Sequence, residues 1–240
     1  MSPRPVRLVV LTGAGVSADS GLATFRGADG LWEGHRIEDV ASPQGWCRDP
    51  RLVWRFYQLR RAALLTVEPN AAHHALAALE RACVLRGVDF RLVTQNVDNL
   101  HERAGSRPLH MHGELEWLRC ERCGARVRDL EQLDPERFVS CAACGAERLR
   151  PDIVWFGELV PSSEELLEWA GACTHFVAIG TSGVVYPAAG LIDVARSAGA
   201  RTIVQSLDEP ANLRHVDAFH PGRACEAVPE LCRELEALLP

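Results

Sequence analysis

Apolar and polar positions follow two rhythms along this chain. Short, nearly continuous apolar runs recur at Arg7 to Leu11, Phe90 to Val93, Ile153 to Phe156, His175 to Ile179 and Arg201 to Val204. Runs of that length without alternation suit strands buried on both faces. Helical patterns lie between several of them. Within Pro187 to Ala198, the residues Ala188, Leu191, Ile192 and Ala195 recur near helical period. Ser162-Ser163-Glu164-Glu165 reads as a capping box opening a helix that Gly171 ends. Pro229 suits the first turn of a last helix. Strands alternating with helices predict an α/β fold on a parallel, doubly wound sheet.

Two stretches break the rhythm. Residues 29–86 carry no clear strand and read as loop followed by two helices, Pro50 to Thr66 and Asn70 to Arg86, interrupted by Pro69. Residues 114–150 are rich in cysteine and arginine and poor in apolar residues. Both read as insertions that together form a smaller part. The larger part of this single unit, 1–240, then comprises 1–28, 87–113 and 151–240.

Composition narrows the function. A chain of 240 residues, 47% apolar and 24% charged, has the make-up of a soluble globular protein with one substantial core. A net charge of −6 supplies no basic face, so direct nucleic-acid binding is not expected. No apolar run approaches the roughly 20 residues of a membrane helix, so no membrane partner is expected. The apolar stretch Leu8 to Leu11 is too short for a secretory leader and is ended by Thr12-Gly13, which predicts a cytoplasmic protein. Nine cysteines, an odd number, argue against a disulfide framework.

Four of them form Cys120-x2-Cys123-x17-Cys141-x2-Cys144, the spacing of a tetrahedral zinc site. Gly124 and Gly145 follow the two knuckles and ease the turns around the metal. Four thiolates close the coordination shell, so the zinc is expected to be structural. Such a module can also belong to a non-catalytic reader of proteins, a second hypothesis carried here.

Gly13-Ala14-Gly15-Val16-Ser17-Ala18 follows the first apolar run and fits the dinucleotide fingerprint G-x-G-x-x-G/A, in which glycines admit a pyrophosphate to the start of a helix. A plain glycine-rich turn fits equally well. A dehydrogenase needs a second strand ending on an acidic residue about 20 positions on. Glu33, Glu38 and Asp39 are available, but no strand leads to them, so hydride transfer is not expected. The densest chemistry is Thr94-Gln95-Asn96-Val97-Asp98-Asn99-Leu100-His101, directly after an apolar run, followed by His112-Gly113. It points to a polar site that orients a sugar or an amide and removes a proton. Taken alone, His112 is more often a structural histidine.

Gly13-Ala14-Gly15 with Ser20-Gly21 and Phe25-Arg26, then Thr94 to His101, His112-Gly113, the four cysteines, Arg150 to Glu158, and Gly180-Thr181-Ser182 with Pro187-Ala188-Ala189 resemble the sirtuins, in that order and over nearly the whole chain. The resemblance implies an NAD-dependent protein-lysine deacylase with a large Rossmann-like part and a small zinc-bearing part. It implies that Gly13, Ala14, Gly15, Phe25 and Arg26 form the cofactor loop, and that Gln95, Asn96 and Asp98 surround the nicotinamide and its ribose. Gly180, Thr181 and Ser182 then face the phosphates and adenosine ribose. Ser206, Leu207, Asp208 and Ala224 lie at the adenosine end. Phe156, Gly157 and Glu158 pair with the substrate backbone. Two positions depart from the family pattern: Ala23, where many members have proline, and Leu207, where many have asparagine.

The chemistry so implied is attack of an acyl-lysine oxygen on the nicotinamide ribose, with His112 as general base on a ribose hydroxyl. The products are lysine, nicotinamide and O-acyl-ADP-ribose. Acylated-lysine proteins are the implied partners. A mono-ADP-ribosyltransferase on the same scaffold is the first rival. Tyr57 and Arg60, three apart on the first inserted helix, share a face. Read alone they are a core tyrosine beside a surface arginine. Tyr-x-x-Arg resembles the signature of sirtuins that remove succinyl and malonyl groups, which implies that the pair binds an acyl carboxylate.

Overall fold

The computed structural model describes residues 5–22, 31, 32 and 34–240. Phe25 and Arg26 lie outside the described residues. In chain order the elements are β1 (Arg7–Thr12), two 3-10 turns (Ala14–Val16 and Ala18–Ser20), β2 (Leu31–Trp32), β3 (His35–Arg36), α1 (Ile37–Val40), α2 (Pro43–Arg48), α3 (Pro50–Leu64) and α4 (Ala71–Leu85). There follow β4 (Asp89–Thr94), α5 (Leu100–Ala104), β5 (Leu109–His110), β6 (Gly113–Arg119), β7 (Arg126–Arg128), β8 (Arg150–Ile153) and α6 (Ser163–Ala172). The chain closes with β9 (His175–Ile179), α7 (Ala188–Ser197), β10 (Arg201–Ser206), β11 (Ala218–Pro221) and α8 (Ala224–Glu236).

Six strands form one parallel sheet in the order β11-β10-β9-β1-β4-β5. The apolar runs are explained by its two covered faces. Leu8 and Val10 of β1 join a core with α4 and α8, whereas Val9 and Leu11 join one with α6 and α7. Every position of β1 from Leu8 to Leu11 is buried, so no polar alternation is tolerated there. The order reverses at β1, with β4 on one side and β9 on the other. In such sheets ligands bind outside the carboxyl ends of the strands at the reversal.

A second, antiparallel sheet, β7-β6-β8, carries the cysteine knuckles. It packs on α2 and α3 through Trp46, Trp54, Phe56, Tyr57, Leu115, Leu118 and Trp155. Both helices start where their residues dictate. Ser42 Oγ accepts the Gly45 N–H at 2.9 Å and Asp49 accepts the Leu52 N–H at 3.0 Å, each followed by proline at the first helical position.

Five expectations need correction. The run Ile153 to Phe156 does not enter the parallel sheet. Strand β8 ends at Ile153 and pairs with β6, because the backbone beyond it is bonded to His112 and Ala41. Residues 29–86 do contain strand, the β2–β3 hairpin. That insertion also divides: α4 packs Ala72, Leu76, Leu79 and Cys83 into the sheet core, so packing assigns it to the larger part. Ser162 caps α6 by position but accepts no side-chain bond, and α6 runs past Gly171 to Ala172. Pro229 sits inside α8, which starts at Ala224. No helix among the described residues is long and apolar enough to cross a membrane.

Candidate active site

The loops leaving β1, β4 and β9 meet at the reversal of the sheet. Gly13 N–H donates to the Ile179 carbonyl and Gly15 N–H to the Gly180 carbonyl, both at 2.9 Å. A Cβ on Gly15 would stand 2.7 Å from Gly180 Cα, and one on Gly13 would stand 2.8 Å from the Gly180 oxygen. Gly180 has a φ of +61° and its own Cβ would meet Val16 N at 2.6 Å. The glycines therefore let two loops lie backbone on backbone. The helix expected after the first loop is only the two 3-10 turns.

Gln95 crosses from the β4 loop and donates from Nε2 to Thr181 Oγ1 at 3.1 Å. Asn96 Nδ2 donates to Ser17 Oγ at 3.1 Å, and Ser17 O–H donates to Asp98 Oδ2 at 2.9 Å. The other Asp98 oxygen accepts the Leu100 N–H at 3.1 Å. Burial pushes the Asp98 carboxyl up, and these bonds pull it back. Asp98 is thus fully bonded and buried, a group suited to positioning. Beneath it, His73 Nε2 approaches Ser17 Oγ at 3.4 Å and His101 Nε2 lies 3.0 Å from Thr12 Oγ1.

His112 lies at the edge of this floor. Its Nδ1 is 3.1 Å from the Gln95 carbonyl oxygen. A carbonyl only accepts, so Nδ1 carries the hydrogen and Nε2 keeps its lone pair. Burial lowers its pKa, opposed by the bond to Gln95. The imidazole is therefore a neutral base at neutral pH.

Ser206 is buried at the end of β10, with Leu207 exposed and the Ser206 hydroxyl bonded to the Asp208 carbonyl. Ala224 opens α8, next to Arg223, whose guanidinium pairs with Asp19 of the first loop. Ser182 accepts the Ala211 N–H through its carbonyl at 3.2 Å, and Ala14 lies in the first 3-10 turn.

On the side of the smaller part, Phe156 is exposed, and Gly157 takes a φ of +89°. The Glu158 carboxylate accepts from Arg150 Nη1 at 2.7 Å, Arg150 Nη2 at 2.9 Å and the Trp155 N–H at 2.9 Å. Its N–H donates to the Trp155 carbonyl at 3.0 Å, so the side chain and amide of Glu158 already hold the turn. Tyr57 is fully buried, and its oxygen accepts from Trp155 Nε1 at 3.0 Å. Burial raises its pKa, which keeps the hydroxyl protonated. Arg60 is half-buried, with its guanidinium 5.6 Å from the Phe56 ring centre.

The four cysteine sulfurs lie within 4.8 Å of one another, with 3.6 Å between Cys120 and Cys144 and 3.7 Å between Cys123 and Cys141. Zn–S bonds of about 2.3 Å place tetrahedral ligands about 3.8 Å apart. The set fits zinc. The knuckles are alike: Gly124 and Gly145 each take a left-handed φ and donate to the first cysteine's carbonyl.

Sequence reasoning gave no role to Thr12, Ser17, His73 and Thr94, under the site, or to Arg150, beside it. Thr12, Ser17, His73 and Thr94 act through contacts distant in the chain, whereas Arg150 bonds Glu158 eight residues on; Asn70-x-x-His73 carries a local signal, a helix cap in which Asn70 N–H donates to His73 Nδ1 at 3.2 Å.

The sequence model of the Sir2 family matches residues 13–187. An NAD-dependent protein deacylase from Pasteurella multocida is 49% identical over 94% of this chain and 96% of its own. A Sir2 homologue solved as an NAD complex is 40% identical, with a TM-score of 0.86, over 98% of this chain and 91% of its own. A Sir2 structure bound to acetylated peptide is 28% identical, with a TM-score of 0.77, over 96% of this chain and 92% of its own.

Proposed function

This chain belongs to the Sir2 family, and from that premise we propose that it is an NAD-dependent protein-lysine deacylase acting in the cytoplasm. The observation that carries the reading is the neutral, half-buried His112 held through Nδ1 by the Gln95 carbonyl. Bound NAD supplies a ribose carbon whose nicotinamide is the leaving group. Gly13, Ala14, Gly15, Gly180, Thr181 and Ser182 receive the phosphates, and Gln95, Asn96 and Asp98 orient the nicotinamide end. Phe25 and Arg26 are assigned to the same loop on the resemblance alone. Ser206, Leu207, Asp208 and Ala224 take the adenosine end. His112 Nε2 accepts the proton of a ribose hydroxyl as that oxygen adds to the acyl carbon. Phe156, Gly157 and Glu158 are assigned to the acylated peptide's backbone on the resemblance, and Glu158 holds the turn they form through Arg150 and the Trp155 N–H. The Cys120, Cys123, Cys141 and Cys144 zinc site stays outside the chemistry and holds the smaller part.

The acyl group is assigned by Tyr57 and Arg60. A protonated phenol and a guanidinium on one helix face suit a carboxylate-ended acyl group such as succinyl or malonyl. A charge-assisted hydrogen bond of about 1.5–3 kcal/mol predicts a 10- to 100-fold loss of kcat/KM on succinyl-lysine peptide for Arg60→Met, with acetyl-lysine spared. Equal losses on both peptides would refute the assignment. Product analysis tests the activity itself: O-acyl-ADP-ribose in solution supports deacylation, and ADP-ribose attached to protein contradicts it.

A further inference from the structure

His110 and His112 flank Met111, whose side chain is buried in the sheet core and whose N–H donates to the Thr94 carbonyl at 3.0 Å. The two imidazoles grip consecutive carbonyls of the β4 loop. His112 Nδ1 meets the Gln95 oxygen at 3.1 Å, and His110 Nδ1 meets the Asn96 oxygen at 2.9 Å. Their remaining nitrogens differ. His110 Nε2 lies 2.7 Å from Glu102 Oε1, on α5. Carbonyl and carboxylate oxygens only accept, so both nitrogens of His110 carry hydrogen and the ring is an imidazolium. It ties Asn96, at the start of the loop, to Glu102, on the helix that follows Asp98. The bracket encloses the side chains assigned to the nicotinamide and its ribose.

We propose that the Glu102–His110 ion pair is a positioning device for Asn96 and Asp98, which holds the nicotinamide half of the site and lets go when His110 loses its proton. The inference rests on the assignment of Asn96 and Asp98 to NAD. His110 is faced by Glu102 and His101 from α5, Glu114 and Glu116 from β6, and Asp98 from the β4 loop. Arg128 and Asn99 hold Glu116, and Arg126 of β7 lies 3.9 Å from Glu114. Glu102 is therefore the carboxylate bonded to the ring. Its bond and charge raise the His110 pKa above the ordinary 6.5 against the effect of burial.

Neutral His110 can keep one hydrogen, on Nδ1 or on Nε2. Keeping Asn96 sets a lone pair against the Glu102 carboxylate, and keeping Glu102 releases Asn96. Either way the bracket opens as pH rises through the His110 pKa, whereas the neutral His112 base is already formed. NAD affinity should thus fall on the alkaline side, while ADP-ribose, which keeps that ribose but lacks nicotinamide, should lose less.

Calorimetric binding of NAD and ADP-ribose without peptide tests this, on zinc-loaded variants of unchanged melting temperature. His110→Ala is expected to weaken NAD about tenfold, the loss of a charge-assisted bond, and to leave ADP-ribose within about twofold. Glu102→Gln removes the charge but offers the lone pair of a neutral His110 an amide N–H, so its NAD affinity should no longer decline as pH rises. Nitrogen-15 NMR of labelled histidine should find His110 titrating above 6.5 in wild type and lower in Glu102→Gln. A wild-type His110 that titrates below 6.5, or equal effects of His110→Ala on NAD and ADP-ribose, would overturn the proposal. Loss of NAD binding in Asn96→Ala tests the underlying assignment separately: if it leaves NAD affinity unchanged, that assignment fails whatever His110 does.

Discussion

Single residues set the chemistry by what their partners can and cannot do. His112 is a base because its partner among the described residues is a carbonyl; His110, two residues earlier, is a cation because one partner is a carboxylate. Since burial lowers the His112 pKa below 6.5, its neutral form persists as pH falls past that value and is lost only lower. The acid limb of kcat/KM is therefore expected below pH 6.5, and a limb well above it would contradict the environment described. Glycine matters where two backbones touch. At Gly180 a Cβ would strike Val16 N from a left-handed residue. Gly180→Ala is expected to cost about 1–3 kcal/mol. At ~2–4 °C per kcal/mol for a chain of this size, the melting temperature should fall by several degrees. It should also weaken NAD, since Thr181 carries the bond to Gln95. An unchanged melting temperature would contradict the loop contact. The glycines were legible in the sequence, but their reason was not: the partner of Gly13 and Gly15 lies some 165 residues away along the chain.

At the scale of elements, legibility followed periodicity and local caps. β1, β4, β9, β10, α3, α4 and α7 announced themselves through apolar runs, helical spacing or proline and asparagine at their starts. β6, β7 and β8 did not, because β7 is exposed throughout and β6 and β8 bury the charged Glu116 and Arg150 among their apolar residues. β11 shows only partial burial and carries little apolar signal. The zinc knuckles share their core with Trp46, Trp54, Phe138 and Trp155. Stripping one zinc per chain with a chelator should therefore change tryptophan fluorescence and lower the melting temperature while most of the helical CD survives. Metal-free protein with unaltered fluorescence would contradict that shared core. On α4 and α5, His73 and His101 are buried and face each other at 4.9 Å. Burial lowers His73 to about 4 and His101 well below its ordinary value. Both folded-state values are depressed, so their stability contribution is complete above pH 6.5 and drains away as pH falls toward 4. Denaturant titrations should show lower stability at pH 5 than at pH 7; the reverse order would contradict neutral burial.

The whole molecule places its chemistry where a doubly wound sheet reverses, with strands β1, β4 and β9 delivering three loops to one point. The sequence motifs located those loops separately; only the fold brings Gly13, Gln95 and Thr181 together. What the motifs left out is the support beneath them: His73, and the contacts of Ser17, which cross to His73, Asn96 and Asp98 as no spacing rule encodes. The central claim is tested most directly by nicotinamide release from NAD, measured with and without acetyl-, succinyl- and malonyl-lysine peptides, in wild type and His112→Ala. The account predicts peptide-dependent release by the zinc-loaded wild type and free lysine peptide in equal amount, with deacylation lost in His112→Ala. Wild-type enzyme that leaves NAD intact with every peptide, or a His112→Ala variant that deacylates at the wild-type rate, would contradict it.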